Sequence, residues 1–141
     1  GPMMLNRHPG YRAPILATSL GQVYLAFCST EEREAVLAQE AENSDPWNDI
    51  ARDPATAQKL FDDIRKRGYA IMHPDYSRIE YRHTMTSVGV PIMADGAVFA
   101  SINVLYLKKA LTPEQAVRTM LKPLQATAKK IAQELARRSD K

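Results

Sequence analysis

Cysteine and long apolar runs are both scarce in this chain of 141 residues. Cys28 is the one cysteine, which excludes a disulfide within the chain and favours a reducing compartment, so we expect a cytoplasmic protein. The longest apolar-leaning run covers residues 97–107, whereas a membrane-spanning helix needs about 20 apolar residues. The sequence therefore predicts no membrane partner, and its 45% hydrophobic content is typical of one folded domain.

Residues suited to catalysis or metal binding are also few. The three histidines, His8, His73 and His83, are not at metal-ligand spacing, and Cys28 has no second cysteine for a C-x-x-C motif. The sequence has no G-x-S-x-G nucleophile elbow, phosphate-binding loop or G-x-G-x-x-G dinucleotide motif. Because no nucleophile, base and orienting group come together, we expect no enzyme activity, no catalytic residue, no metal and no cofactor.

Basic residues form no continuous stripe, although the formal net charge is +3. Residues 1–70 carry 8 basic and 10 acidic side chains, a net charge of −2, and residues 71–141 carry 11 and 6, a net charge of +5. A nucleic-acid-binding surface usually shows clustered lysine and arginine with interleaved aromatics. Here the basic residues are scattered, and those late in the last helix suit its C-terminal dipole. This chain is therefore not predicted to contact DNA by itself.

Periodicity and capping signals predict a mixed α+β fold. Thr18 or Ser19, then Ser29 and Asp53, are side chains that cap helix N-termini well. Helices are expected at residues 19–27, 29–42 and 53–68, and from residue 112 onward. Strands are expected at residues 69–73, 83–94 and 97–107, with a turn-like segment at residues 74–82. The last helix carries a single apolar seam, which suits packing on a sheet or on a partner helix.

The loop around Asp95-Gly96 leaves two registers open for the last two strands. A two-residue type I′ turn would mix polar and β-branched residues on each face. A three-residue loop that includes Ala94, with Gly96 left-handed as a bulge, collects apolar residues on one face. They are Val88, Val90, Ile92, Val98, Ala100, Ile102 and Val104. Because a one-residue slip inverts every side chain, we favour the second register, in which Ser87 lies directly opposite Asn103.

The opposite face of this ribbon combines small, apolar and uncharged polar residues. Apart from Asp95 in the turn, its odd-numbered members carry no charge. They are Met85, Ser87, Gly89, Pro91, Met93, Phe99, Ser101, Asn103 and Leu105. A concave apolar surface with a few polar groups is typical of small-molecule sites. A second core face with hydrogen-bonded hydroxyls explains the same pattern, and both interpretations stay open at this point.

Three groups of short motifs follow one another along the chain. They are Arg12-Ala13-Pro14 with Thr18-Ser19-Leu20-Gly21 and Tyr24-Leu25-Ala26-Phe27, then Ile64-Arg65-Lys66-Arg67-Gly68-Tyr69-Ala70, then Val88-Gly89-Val90-Pro91-Ile92 with Gly96-Ala97-Val98-Phe99-Ala100-Ser101-Ile102-Asn103-Val104. In this order, across residues 12–137, they resemble the effector-binding domain of IclR-type bacterial transcriptional regulators. Leu25-Ala26-Phe27-Cys28 and Asn103-Val104-Leu105-Tyr106 carry a closer likeness to activators of aromatic-acid catabolism, such as those that answer hydroxyphenylpropionate.

The resemblance implies a GAF-like fold, an antiparallel sheet flanked by helices, that binds a small organic acid. It also implies homodimers or homotetramers that contact DNA only through a separate winged helix-turn-helix domain. By position it indicates a lining of Ser19, Leu20, Met72, Ser87, Asn103 and Leu105. The binding mode that we expect adds Gly21, Tyr24 and Met85. The carboxylate would meet N–H groups from Ser19 to Gly21, and Ser87 and Asn103 would bind a ring hydroxyl.

Departures from the family pattern make the expected pocket more apolar. Many members carry an acidic residue where Met72 stands and serines where Asn103 and Leu105 stand, so an aromatic ring suits this pocket better than glyoxylate or pyruvate. We expect residues 12–139 to form the effector-binding domain without the first strands of the family fold. Residues 1–11 are expected to be a cleavage remnant and linker, with the DNA-binding domain absent from this chain. The alternative function is a ligand-free oligomerisation module.

Overall fold

The computed structural model describes residues 13–139 as a three-stranded antiparallel sheet flanked by helices. The chain order is α1 (Ser19–Phe27), α2 (Thr30–Glu40), a 3-10 helix (Pro46–Arg52), α3 (Pro54–Arg67), β1 (Ala70–Ile71), α4 (Pro74–Tyr81), β2 (Met85–Ala94), β3 (Ala97–Leu107) and α5 (Pro113–Ser139). The predicted α+β class is confirmed, and the predicted remnant and linker at residues 1–11 lie outside the described part. Over residues 13–139, no helix combines the length and the apolar character that crossing a bilayer requires.

The helix boundaries follow the capping signals of the sequence. Thr18, Ser29 and Asp53 each accept a hydrogen bond from the backbone N–H three residues further on. Such caps satisfy one of the first amides of a helix, which have no acceptor inside the helix itself. At its other end, α3 stops at Gly68, whose φ of 87° lies in the left-handed region. These three predicted helix starts and this helix end are confirmed.

Helix α4 occupies a segment that the sequence analysis predicted to be turn-like, and that prediction is wrong. Pro74 stands in the first turn, where its fixed φ and missing N–H are tolerated, and His73 Nδ1 accepts a hydrogen bond from the Asp75 N–H at 3.0 Å. The helix buries Tyr76, whose ring makes an edge-on contact with Trp47, with centroids 5.2 Å apart. Tertiary burial of this ring stabilises a helix of only 8 residues, which local periodicity does not reveal.

The connection between β2 and β3 contradicts the predicted three-residue loop. Asp95 and Gly96 have φ values of 53° and 77°, which is the pattern of a two-residue type I′ turn. The register then shifts by one residue at Phe99, the extra residue of a β-bulge. The apolar face that the sequence favours still forms beyond the bulge, because the two-residue turn and the bulge together pair even-numbered residues of β2 with even-numbered residues of β3.

Two details of the predicted pairing change as a result. Val98 lies opposite Met93, before the bulge has restored the even-numbered pairing. Ser87 lies opposite Leu105 and not opposite Asn103, as the favoured register required. Ser87 and Asn103 remain on the same face of the ribbon, two residues apart in register, because their separation preserves the alternation of side chains.

Helix α5 covers the even-numbered face of the ribbon with its apolar seam. Val88 and Val90 are fully buried there, together with Ile92, Ala116, Leu124 and Ala128. Ile102, Val104, Leu121, Ile131 and Leu135 pack around them as half-buried neighbours. The seam of the last helix therefore packs on the sheet of its own chain, which is the first of the two uses that its spacing allows.

Candidate ligand-binding site

The first turn of α1 lies directly on the odd-numbered face of β2. Gly89 makes this approach possible, because a Cβ at this position would stand 2.8 Å from the Ser19 carbonyl oxygen. Gly21 is equally confined, since a Cβ there would lie 2.0 Å from the carbonyl oxygen of Ile15. Gly89 therefore lets the backbone of α1 approach the sheet closely, and Gly21 lets α1 approach the preceding segment at Ile15.

A small hydrogen-bonded cluster forms where α1 meets the ribbon. The hydroxyl oxygens of Ser19 and Ser87 lie 2.6 Å apart, and Asn103 Nδ2 donates to Ser19 Oγ at 3.2 Å. Ser19 and Ser87 are fully buried, whereas Asn103 is half-buried. Three of the predicted lining residues therefore meet at one point, and only the amide is within reach of solvent.

The centre of this face is filled by the chain itself. Ser19 occupies the position above Gly89, and the hydroxyls there are satisfied as in a second core face, which is one of the two interpretations that the sequence left open. The accessible part is the rim, where Leu20 is 36% exposed and Asn103 and Leu105 are half-buried. Ser101 closes one side of this rim through a hydrogen bond from its hydroxyl to the Leu20 carbonyl oxygen at 3.0 Å.

The remaining predicted residues are divided between this cluster and other surroundings. Met72 and Met85 are buried, and the Met72 N–H donates to the Ser87 carbonyl oxygen at 3.3 Å. The hydroxyl of Tyr24 instead donates to Glu32 Oε1 of α2 at 2.8 Å, and this hydrogen bond raises the pKa of Tyr24. The structure therefore joins Met72 to the backbone of Ser87, places Met85 two residues before Ser87 on the same face of β2, and directs the Tyr24 hydroxyl toward α2.

The amides at the start of α1 are only partly free. The Gly21 N–H donates to Thr18 Oγ1 at 3.0 Å, so it is already used by the helix cap. Among residues 13–139, the N–H groups of Ser19 and Leu20 have no protein acceptor. Because Ser19 is fully buried, the expected anion-binding amides narrow to the N–H of Leu20, and Gly21 contributes by its close packing.

Two residues near the cluster were missed as site components. Ser101 appeared in the sequence only as one polar residue of a strand, and nothing local indicated its bond to Leu20. Gly89 was visible as a glycine within a run of β-branched residues, a pattern that often marks a close approach of two backbones. That signal predicts contact with another segment without saying which segment.

The other chemically reactive side chains lie elsewhere. His73 caps α4, and His83 is exposed in the connection to β2. Burial raises the pKa of the half-buried Cys28 thiol, which donates to the Leu25 carbonyl oxygen at 3.3 Å. Within residues 13–139, no three histidine, cysteine or carboxylate side chains are grouped as metal ligands would be.

Comparison with known proteins agrees with this architecture. The chain matches the family model of the C-terminal domain of the bacterial transcriptional regulator IclR over residues 3–133. A transcriptional regulator of Rhodococcus sp. RHA1 is 25% identical, with a TM-score of 0.68 over 95% of this chain and 53% of its own length. The IclR protein of Thermotoga maritima is 24% identical, with a TM-score of 0.71 over 96% of this chain and 53% of its own.

A third structure is the inducer-binding domain of PobR from Acinetobacter, a double mutant in complex with 3-hydroxybenzoic acid. It is 23% identical, with a TM-score of 0.65 over 89% of this chain and 69% of that domain. The fold and the family match define a domain of bacterial transcriptional regulators, a regulatory class and not an enzymatic one. The chain belongs to the IclR C-terminal, effector-binding domain family, and it spans about half the length of the Rhodococcus and Thermotoga regulators.

Proposed function

We propose that residues 12–139 sense a small aromatic carboxylic acid and thereby control the transcription of catabolic genes. The regulator acts in the cytoplasm as a homodimer or homotetramer and contacts DNA through a separate winged helix-turn-helix domain. The acid shifts the regulator between arrangements by binding one of them more tightly than the other. The observation that carries this proposal is the cluster of Ser19, Ser87 and Asn103 at an apolar rim.

The rim supplies the groups that such an acid needs. Its carboxylate accepts a hydrogen bond from the N–H group of Leu20, which has no protein acceptor, belongs to the exposed rim and stands at the positive end of α1. Its ring rests on Leu20 and Leu105, with the buried Met72 and Met85 behind them. Burial of the ring supplies most of the binding free energy, since apolar contact scales with the area removed from water.

A ring hydroxyl is recognised by the polar cluster. Asn103 is the accessible member, and its amide already donates to Ser19, so it is held in place before the ligand arrives. Ser87 joins when the ligand displaces the bond between the two serine hydroxyls. The resemblance to regulators of aromatic-acid catabolism and the fold shared with the PobR domain support an aromatic acid over a shorter one.

Calorimetric titration of the full chain with benzoate and 3-hydroxybenzoate tests this proposal. We expect Asn103→Leu to weaken 3-hydroxybenzoate binding by about 1–3 kcal/mol, because a buried hydrogen bond to the ring hydroxyl is lost, and to change benzoate binding much less. Gln39→Leu makes the same substitution class at an exposed position on α2 and should leave both affinities unchanged. Absence of binding by either acid, or an unchanged preference in Asn103→Leu, contradicts the proposal.

A ligand-free oligomerisation module is the second candidate, favoured by the filled centre of the α1 face and by the free edge of β3. Within residues 13–139, β3 pairs only with β2, and its 11 residues include no charge to discourage edge pairing. Phe99 on this edge is 60% exposed. If Phe99→Lys abolishes self-association in sedimentation and neither acid binds the unmodified chain, this second function holds in place of the first.

A further inference from the structure

A cavity lies on the opposite side of the β2–β3 ribbon from the filled cluster at Ser19. It has a volume of about 360 Å³ and is lined by Thr86 of β2, Tyr106 of β3 and the segment that leads into α5. Ile71, Met72 and Leu111 form apolar walls. This volume is at the lower end of the range for small-molecule pockets, so it suits a compact ligand of one ring.

Two largely buried side chains, Thr86 and Tyr106, line this cavity with hydroxyl groups. Thr86 and Tyr106 are direct partners across the β2–β3 pairing and are only 7% and 6% exposed. Over residues 13–139, neither hydroxyl has a hydrogen-bond partner in the protein. Unlike the buried Trp47 Nε1 and Asn48 Oδ1, the two hydroxyl oxygens are accessible to solvent, so both can form a hydrogen bond with a molecule in the cavity.

A cation stands at the same cavity. Lys108 follows Tyr106 by two residues, lines the cavity and has no carboxylate within 4.0 Å in the part of the chain that the structure describes. The start of α5 does not offer these two amides to an anion, because the Thr112 N–H donates to Gln115 Oε1 at 2.9 Å and the Gln115 N–H donates to Thr112 Oγ1 at 3.2 Å, as in a capping box. The negative charge of a ligand here would therefore be met by Lys108.

The geometry points to a second small-molecule site, for a carboxylic acid with a compact apolar body. The carboxylate pairs with Lys108, the hydroxyls of Tyr106 and Thr86 donate to it, and the body lies against Ile71, Met72 and Leu111. Burial raises the pKa of Tyr106, so its hydroxyl stays neutral and able to donate throughout the physiological range. The site goes beyond the function proposed above, since it lies on the other face of β2 and β3.

Backbone-amide NMR of the full chain, titrated with benzoate, tests this inference. We expect saturable shifts at Ile71, Thr86 and Tyr106, and Lys108→Met should weaken the affinity read from them about three- to fivefold. The matched control is Lys109→Met, at the neighbouring exposed lysine, which should change the benzoate affinity by less than about twofold. Benzyl alcohol, which lacks the charge, should bind Lys108→Met and the unmodified chain equally.

Tyr106→Phe keeps the buried ring and removes only the hydroxyl, so it is the alternative test variant if Lys108→Met disturbs the fold. It should weaken benzoate about five- to tenfold through the lost hydrogen bond. Asn103→Leu leaves the shifts around Tyr106 unchanged, which separates this site from the one at α1. Shifts confined to residues near Ser19, equal affinity in Lys108→Met and Lys109→Met, or movement of the same resonances on dilution without benzoate overturns the inference.

Discussion

The two faces of the β2–β3 ribbon are built from alternate residues of the same strands and behave in opposite ways. On the α5 face, Val88, Val90 and Ile92 form a continuous apolar layer. On the α1 face, Ser87 and Gly89 alternate with them, and Ser19 of α1 is hydrogen-bonded above. The alternation of a strand thus separates a face that stabilises the fold from a face that holds polar groups in defined positions.

The comparison also shows how each face tolerates change. The α5 face depends on volume, so its residues are exchangeable for others of similar size and apolar character. The α1 face depends on a close backbone approach at Gly89 and on paired hydroxyls, which leave little choice of residue. A polar substitution on the α5 face should therefore lower the free energy of unfolding. On the α1 face, the same loss should come from a larger side chain at Gly89 or from removal of one hydrogen-bonded hydroxyl.

The largest effect is expected from a hydroxyl on the α5 face. Val90→Ser should lower the free energy of unfolding by about 3–4 kcal/mol, because it removes buried methyl groups and adds an unpaired hydroxyl. Val90→Ala removes almost the same volume without the hydroxyl and should cost about 2 kcal/mol. Urea unfolding measures both, and equal losses for the two variants would show that this face accommodates a polar group.

Added bulk on the α1 face should come next. Gly89→Ala places a Cβ 2.8 Å from the Ser19 carbonyl oxygen, so α1 must move away from β2. We expect a loss of about 1–3 kcal/mol in the free energy of unfolding and a weaker response to aromatic acids, because the cluster is displaced. Unfolding and calorimetry together test this. Unchanged stability with full binding would contradict the close approach.

The paired hydroxyls should show a smaller, coupled effect. Ser19→Ala removes the partner of the Ser87 hydroxyl and the acceptor of Asn103 Nδ2. Ser87→Ala removes one of the two partners of Ser19 Oγ, and each variant should lose about 1–2 kcal/mol in the free energy of unfolding. The double variant removes both groups and should lose less than the sum of the single losses, with a coupling of about 0.5–1.5 kcal/mol. A double-mutant cycle by urea unfolding measures this, and strict additivity would show that the two hydroxyls do not interact.

The smallest effect concerns pH. Burial lowers the pKa of His73, with Asp75 and Asp49 opposing the shift in part. Because the folded pKa lies below the unfolded value of about 6.5, the contribution of neutral His73 is full above that value and is lost as pH falls through the folded pKa. His73→Asn keeps a capping side chain that does not titrate, so the difference in stability between the variant and the unmodified chain should diminish on acidification. A constant difference would exclude this role.

Much of the fold was predictable because its signals are local. The caps at Thr18, Ser29 and Asp53 and the end of α3 at Gly68 each depend on a few neighbouring residues. The apolar face of the ribbon was predictable from alternation alone. Helix α4 was not, because it is stabilised by the contact of Tyr76 with the distant Trp47.

The β2–β3 hairpin and the site at α1 could be predicted only in part. The predicted three-residue loop assumed that one irregularity sits in the turn, whereas the chain separates a regular Asp95-Gly96 turn from a bulge at Phe99. Sequence pattern cannot locate a bulge within an apolar strand. It placed Ser87 and Asn103 on one face but could not show that Ser19 fills the space between them, since that depends on how α1 docks.

The most direct test of ligand binding at the start of α1 is backbone-amide NMR of the full chain titrated with 3-hydroxybenzoate. Ligand sensing at the start of α1 predicts large, saturable shifts at Ser19, Leu20, Ser87 and Asn103. In Asn103→Leu, the shifts caused by 3-hydroxybenzoate should fall to those caused by benzoate, which lacks the ring hydroxyl. Unperturbed resonances at these residues at concentrations of 3-hydroxybenzoate that saturate any other response would contradict ligand sensing at the start of α1.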